Sequence, residues 1–413
     1  MAKIAIVVQR YGIEVNGGAE YHARVLAEKL NLRHQVTVLS TKALDYDAWK
    51  NEYTQDTEHI NNIEVKRFSS LKKNHKRFRK ARRKILLNQL HHKVLKKINL
   101  LAFAKKHLPY INPSKKNGAS FVKEQGPQCP DLIKYIEANS SNYDCFIFFT
   151  YLYYPTYFGM KKVKEKAIFI PTAHDEPLLY TKPFENLFSV PKYIMYNTSS
   201  EKELITNHFS NVSSYNDVAG VGIEEFKVTE NDITNKYKYD FEYFIYIGRI
   251  DHNKGCDELI HYFSNGNFNR EIKLVLVGNN ENFHTTNNTD NVIFTGFVDE
   301  NTKYYLLENS KGLIIPSKYE SLSLVTLESM LHKKIVVANK KCEVLRKHIT
   351  NSKAGYVYDN QKSFEKSINK ILNLTEKEYQ KQAENGFLYV KNNYTWNPIL
   401  DKFDQAINFI KAQ

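Results

Sequence analysis

The 413-residue sequence predicts an α/β protein of two doubly wound domains facing each other across a cleft. Three observations predict it. Short runs rich in Ile, Val and Phe alternate with amphipathic segments along most of the chain. The alternation pauses at 218-VAGVGIEEF-226 and then starts again. The two stretches on either side are of similar size. Strand and helix in alternation call for parallel strands with helices packed on the sheet faces, because a parallel crossover needs a helix-sized connection.

The elements follow in order. KIAIVV is a short buried strand by its Ile/Val run. The glycine-bearing loop QRYGIEVNGGAE leads into AEYHARVLAEKL, which has helical periodicity, and QVTVLS is the next strand. After a basic stretch the pattern resumes with PDLIKYIEAN as helix, DCFIFFTYLYY as strand, and KAIFIPTAH as strand and loop. YIMYNTS is a strand and SEKELITNHF a helix. Beyond the junction, FEYFIYIGRI, IKLVLVG, NVIFTGFV, GLIIPS and KIVVAN read as strands. CDELIHYFS, ENTKYYLLENS and LSLVTLESML read as helices. NENFHTTNNTDN is a polar loop. Both halves are Rossmann-like, and in such sheets ligands bind beyond the carboxyl ends of the strands.

Composition narrows the class. An apolar fraction of 42% is ordinary for a globular protein. The start, MAKIAIVVQRYG, has no small-residue cleavage site, so no signal peptide is expected. No run approaches the ~20 apolar residues of a spanning helix. Cys129, Cys145, Cys256 and Cys342 lack C-x-x-C spacing, which argues against a zinc site or a disulfide framework and for a reduced, cytoplasmic setting. The net charge of +14 is local: 19 Lys and Arg lie between Val65 and Lys123, with no Asp or Glu. The rest of the chain holds 40 basic against 45 acidic residues, a net of −5.

Three stretches carry chemistry. In 316-PSKYESLSLVTLESM-330, Glu320 and Glu328 stand eight residues apart. A helix running from Glu320 would separate them by roughly 12 Å, too far for the ~5–9.5 Å of a glycosidase pair. Such a pair suits two parts of one long, hydroxyl-rich ligand, since carboxylates accept strongly from hydroxyls. The spacing alone is equally met by two solvated glutamates. In 248-GRIDHNKGCDEL-259, Gly248 and Gly255 allow tight turns. Arg249 and Lys254 put two cations at a strand end beside a helix N-terminus, a good diphosphate site. In 16-NGGAEYHARVLAEKL-30, Gly17 and Gly18 precede a helix, where paired glycines let a substrate approach backbone N–H groups closely; a plain helix entry loop would look the same. No G-x-G-x-x-G and no ribose-binding acid follow, which argues against a nicotinamide cofactor.

Together these stretches resemble the retaining nucleotide-sugar glycosyltransferases of family 4, with the two-domain GT-B fold, over nearly the whole chain. NGGAE is similar to that family's glycine-rich loop, GRIDHNKG to its G-R-x-x-x-x-K-G element, and PSKYESLSLVTLESM to its P-S-x-x-E-x7-E-x-M element. The resemblance implies that Glu328 holds the nucleotide ribose and Glu320 sits by the donor sugar. It implies that Arg249 and Lys254 neutralise the diphosphate, and that His174 in PTAHDEP lies by the donor sugar. Many members have Gly-Phe-Gly after the first glutamate. Here Ser321, Leu322 and Ser323 stand in its place, so their backbone amides, with that of Leu324, would meet the sugar or phosphate. The implied domains are 1–220, with the basic segment at 65–123; 221–392; and a helix over 393–413 returning to the first domain.

The implied reaction moves a sugar from a nucleotide diphosphate sugar to a hydroxyl acceptor with retention of configuration, in cell-surface polysaccharide or lipopolysaccharide assembly. The acceptor would be lipid-linked or a polysaccharide. No D-x-D element stands at a strand end, so neither a metal nor another cofactor is expected; fixed cations stabilise the leaving diphosphate instead. The basic segment 72-KKNHKRFRKARRKILLNQLHHKVLKKINLLAFAKKHL-108 mixes cations with Ile, Leu and Phe, as a segment lying on an anionic membrane does. The alternative from a different class is a nucleic-acid-binding or non-catalytic protein using this segment. The lack of zinc spacing or a recognised RNA-binding motif argues against it.

Overall fold

The computed structural model describes residues 1–412 apart from 16, 98–99, 101–114, 281–282 and 286–288. Asn16 of the glycine loop, residues 98–99 and 101–114 of the basic segment and part of the 280–291 polar loop lie outside the described residues. The chain divides into two units, 1–220 with 397–413, and 221–396.

The first unit holds β1 (Lys3–Val7), α1 (Gly18–Leu30), β2 (Gln35–Thr41), β3 (Thr57–Ile60), β4 (Ile63–Phe68), α2 (His75–Lys97), α3 (Lys115–Gln125) and α4 (Pro130–Ala138). It continues with β5 (Cys145–Phe149), α5 (Tyr154–Gly159), β6 (Ala167–Ile170), β7 (Tyr193–Tyr196), α6 (Ser199–His208) and β8 (Asn216–Val218). The strands form one sheet in the order β3-β4-β2-β1-β5-β6-β7-β8. All neighbours pair in parallel except β3 and β4, an antiparallel edge hairpin. Phe146 and Phe148 of β5 and Phe169 of β6 lie in its main core. Every residue of β5 is buried, which is why that strand reads as an unbroken apolar run.

The second unit holds β9 (Tyr243–Ile247), α7 (Cys256–Ser264), β10 (Lys273–Val277), β11 (Val292–Gly296), α8 (Glu300–Glu308), β12 (Leu313–Ile315) and α9 (Leu324–Leu331). It continues with β13 (Val336–Asn339), α10 (Glu343–Ser352), β14 (Gly355–Tyr358), α11 (Gln361–Leu372) and α12 (Glu376–Asn393). Its six strands are all parallel in the order β11-β10-β9-β12-β13-β14. Renumbered from its first strand, that is 3-2-1-4-5-6, the doubly wound order whose direction reverses between β9 and β12. The last helix, α13 (Trp396–Lys411), is held to the first unit by ion pairs. Arg33 reaches Asp401 and Asp404 at 2.7 Å each, and His34 reaches Asp404 at 2.6 Å.

The structure corrects three expectations. The strand expected over 144–154 stops at Phe149. Thr150 takes φ 63°, a left-handed conformation no strand continues through, and Tyr154 opens the short helix α5. The basic segment at 65–123 is not all surface, because its first four residues belong to β4. Arg67 is buried, pairs with Glu58 and stacks on the Tyr53 ring at 3.5 Å. The apolar residues of the first turns of α2 are not a free surface either. Phe78, Ala81 and Ile85 pack into the first unit's core. The exposed positions there are Lys76, Arg77, Arg79, Lys80, Arg82, Arg83 and Lys84. Among the described residues no helix is long and apolar enough to cross a membrane.

Candidate functional site

The reversal between β9 and β12 sets two loops side by side in the second unit. Residues 248–255 follow β9, and residues 316–323 follow β12. Gly248 (φ 150°) leaves the strand, and Gly255 (φ 83°) starts α7. A Cβ on Gly255 would lie 2.8 Å from the Pro316 carbonyl oxygen, so the close approach of the two loops requires glycine there. Asn339, at the end of β13, donates to that same carbonyl at 3.1 Å.

This approach brings together residues 66 positions apart. Lys254 Nζ lies 2.7 Å from Glu320 Oε1, with side chains 31% and 16% exposed. Arg249 donates through Nε to Asp251. Asp251 also accepts the Lys254 backbone N–H at 2.8 Å, so one carboxylate holds the first cation and shapes the turn that carries the second. Both cations of the expected diphosphate site are therefore matched by a carboxylate. Sequence reasoning quoted Asp251 without singling it out. Its D-x-x-K spacing, an Asp capping the backbone of a turn, was the available signal.

Glu320 stands in the loop and not in a helix, because α9 starts only at Leu324. Glu328 is buried in α9, and Lys303 of α8 approaches it at 3.5 Å. Lys303 lies 25 residues away on another helix, and nothing in the sequence pointed to it. Ser323 precedes α9 with φ 63°, a strained value for a residue with a side chain, and its hydroxyl lies 2.9 Å from that of Thr326. Leu322 is buried, and its carbonyl accepts from His348 Nε2 at 2.8 Å. The other His348 nitrogen lies 3.0 Å from the Tyr389 hydroxyl. Burial pushes His348 down to about 4, so it is neutral and fixes the 321–323 turn as a plain hydrogen-bond donor. At the start of α9 the Thr326 and Leu327 N–H groups donate to the Ser323 carbonyl at 3.0 and 3.4 Å.

The other expected residues lie in the first unit. Gly17 (φ 154°) and Gly18 open α1. A Cβ on Gly17 would meet Glu20 Oε2 at 2.2 Å, and Glu20 is in a buried pair with Arg10 at 2.7 Å. Room for that pair accounts for Gly17 without any ligand. A Cβ on Gly18 would meet nothing within 4 Å. His174 follows β6, with its Nε2 3.5 Å from Glu176 Oε1. Glu176 also accepts from the Tyr151 hydroxyl at 2.5 Å.

Residues 229–389, within the second unit, match the family model described as "Glycosyl transferases group 1". No curated protein matches the chain. Among solved structures the chain is similar to sucrose-phosphate synthase from Thermosynechococcus elongatus (TM-score 0.68, 13% identity, 100% of both chains covered). It is similar to HepE from Anabaena, solved with UDP-glucose (TM-score 0.68, 14% identity, 99% of this chain and 100% of that one). It is also similar to WaaG, a glycosyltransferase involved in lipopolysaccharide biosynthesis (TM-score 0.61, 13% identity, 98% and 99%). The fold is GT-B-like. The domain match together with that fold supports a glycosyltransferase.

Proposed function

We propose that the protein transfers a sugar from a nucleoside diphosphate sugar to a hydroxyl acceptor, with retention of configuration and without a metal. The observation that carries this reading is the paired loop site of the second unit. Two cations and a carboxylate stand at the carboxyl ends of β9 and β12, next to the N-termini of α7 and α9. Arg249 and Lys254 take the diphosphate, Glu328 the ribose hydroxyls, and Glu320 with the amides of residues 321–324 the sugar. His174 also serves the donor sugar. Breaking the bond between the anomeric carbon and the phosphate oxygen leaves negative charge on the diphosphate, which the two cations stabilise. The acceptor oxygen bonds to the anomeric carbon on the face the phosphate leaves, and its proton passes to a phosphate oxygen.

The HepE structure holds a UDP-sugar, which favours such a donor here. WaaG acts in lipopolysaccharide biosynthesis, which favours a cell-surface glycan or lipid-linked acceptor. The exposed cations of α2 favour an anionic membrane as the surface where that acceptor is met, at about 1 kcal/mol per facing cation. Because Phe78, Ala81 and Ile85 pack into the core, attachment through the first turns of α2 is electrostatic and salt-sensitive.

The test is a thermal-stabilisation screen of UDP, ADP and GDP and their sugars in excess chelator. One nucleotide should raise Tm, by about 2.7 kcal/mol of stabilisation at 100 times its Kd. The anomer of the product is then read by NMR. No stabilisation by any of them, or turnover abolished by chelator and restored by one metal, refutes the donor site as described. Binding to acidic vesicles that survives replacement of Arg79, Arg82, Arg83 and Lys84 by Gln refutes the membrane surface.

A further inference from the structure

The turn that carries His174 is built under strain. Thr150 follows β5 with φ 63°, and Thr172 follows β6 with φ 49°. Both are β-branched, and such residues adopt left-handed backbone only when their surroundings impose it. The two threonines meet through their hydroxyls at 3.0 Å. Thr150 N donates to Ile170 O at 2.9 Å, and Tyr151 N donates to Pro171 O at 3.0 Å.

Beneath this turn lies a carboxylate that the proposed reaction does not use. Glu201, in the first turn of α6, is 1% exposed. One of its oxygens accepts the backbone N–H of Ala173 at 2.5 Å, and the other accepts that of Asn197 at 2.7 Å. Its own N–H donates to the Thr198 hydroxyl at 3.0 Å. Ala173 immediately precedes His174, and Asn197 immediately follows β7. One side chain thus ties together the loops leaving two adjacent strands. A buried carboxylate is costly, and ordinary capping of α6 is already supplied by Thr198.

We propose that Glu201 is a positioning residue for His174: by holding the Ala173 and Asn197 N–H groups it keeps the strained 172–174 turn in the conformation that presents the imidazole. The proposal rests on the reading of His174 as a residue serving the donor sugar. Glu176 and Tyr151 complete the arrangement from the other side. Tyr151 fixes Glu176, and Glu176 stands 3.5 Å from the imidazole. The strain at Thr150 and Thr172 has the same direction of effect, because a turn held away from its relaxed geometry moves when its restraint is removed.

Glu201→Gln tests this, since the amide keeps one acceptor and turns a donor toward the other N–H. Hydrogen exchange of residues 171–177 should rise at least ten-fold, and the His174 Cε1 resonance should move. With UDP-glucose, or whichever nucleotide sugar the stabilisation screen selects, kcat should fall at least ten-fold. KM and the affinity for the bare nucleotide should stay within two-fold, because that site is in the second unit. Glu201→Asp, which restores the second acceptor oxygen, should recover part of both losses. Should Glu201→Gln not fold, Glu201→Asp alone is read, with smaller shifts of the same sign. Unchanged exchange at 171–177 overturns the proposal whatever the turnover. If His174→Ala loses turnover and Glu201→Gln does not, the proposal falls while the role of His174 stands. If both retain full turnover, the role of His174 falls and the proposal with it.

Discussion

Replacing Glu320 with Gln should strengthen binding of the bare nucleoside diphosphate while slowing sugar transfer. Lys254 is paired with Glu320 at 2.7 Å, and both side chains are less than one third exposed. Coulomb attraction at that distance is roughly 1.5–6 kcal/mol for an effective dielectric between 80 and 20. Screening and the side-chain entropy of holding the pair reduce the net contribution of such pairs to about 1 kcal/mol. Gln has nearly the same shape but no charge, so Lys254 is released and Asp251 still holds Arg249. The freed charge is then available to the diphosphate, a gain of about 1 kcal/mol, or roughly five-fold in Kd. The gain should shrink in high salt. Turnover should fall, because the carboxylate assigned to the sugar is gone. Isothermal titration with UDP, ADP and GDP, alongside a turnover assay, measures both. A nucleotide affinity reduced ten-fold would mean that Glu320 grips the nucleotide itself, and the reasoning about its pairing with Lys254 would be wrong.

Three further outcomes are expected. Glu328→Ala should weaken bare nucleotide binding at least ten-fold, the scale of about 1.5–3 kcal/mol for hydrogen bonds to a charged group, with little change in Tm because Lys303 keeps its pair with Glu300 at 3.7 Å; calorimetry and thermal melts read the two effects. Gly255→Ala should cost about 1–3 kcal/mol from its left-handed backbone and the 2.8 Å contact with Pro316, a Tm loss of several degrees. Gly18→Ala, with open space around it, should show no such loss. Burial lowers His22 to about 3 and His348 to about 4. Each takes up a proton in the unfolded chain below pH ~6.5 but not in the folded one, so each contributes stability above that pH that is lost as pH falls toward its folded value. His22→Leu should therefore flatten the decline in stability below pH 6.5 by about 1.4 kcal/mol per pH unit relative to the parent protein. Parallel pH-dependent denaturant melts of the two proteins decide it.

The central strands could be read in the sequence because they are buried on both faces and so are nearly continuous runs of Ile, Val, Leu and Phe. The edges of the first sheet could not. β3 is Thr57-Glu58-His59-Ile60 and β8 is Asn216-Asp217-Val218, partly exposed strands whose polar residues carry no period. The site divides in the same way. Motif spacing and glycine chemistry marked the loops after β9 and β12, because each is local in sequence. The charge count marked the segment that holds α2 as basic.

What the tertiary structure alone decided are the pairings. The adjacency of β9 and β12 sets Lys254 against Glu320, and helix packing sets Lys303 against Glu328. The core takes up Phe78, Ala81 and Ile85 in the first turns of α2 and leaves the cations there outside. The adjacency of β6 and β7 brings Glu201 to the N–H of Ala173, 28 residues away. The physical reason is common to all of these. Propensity and hydrophobic period are properties of a few consecutive residues, and a sequence displays them directly. Which charge meets which depends on strand order and on close approaches such as that of Gly255 to Pro316, and these exist only once the sheets have formed.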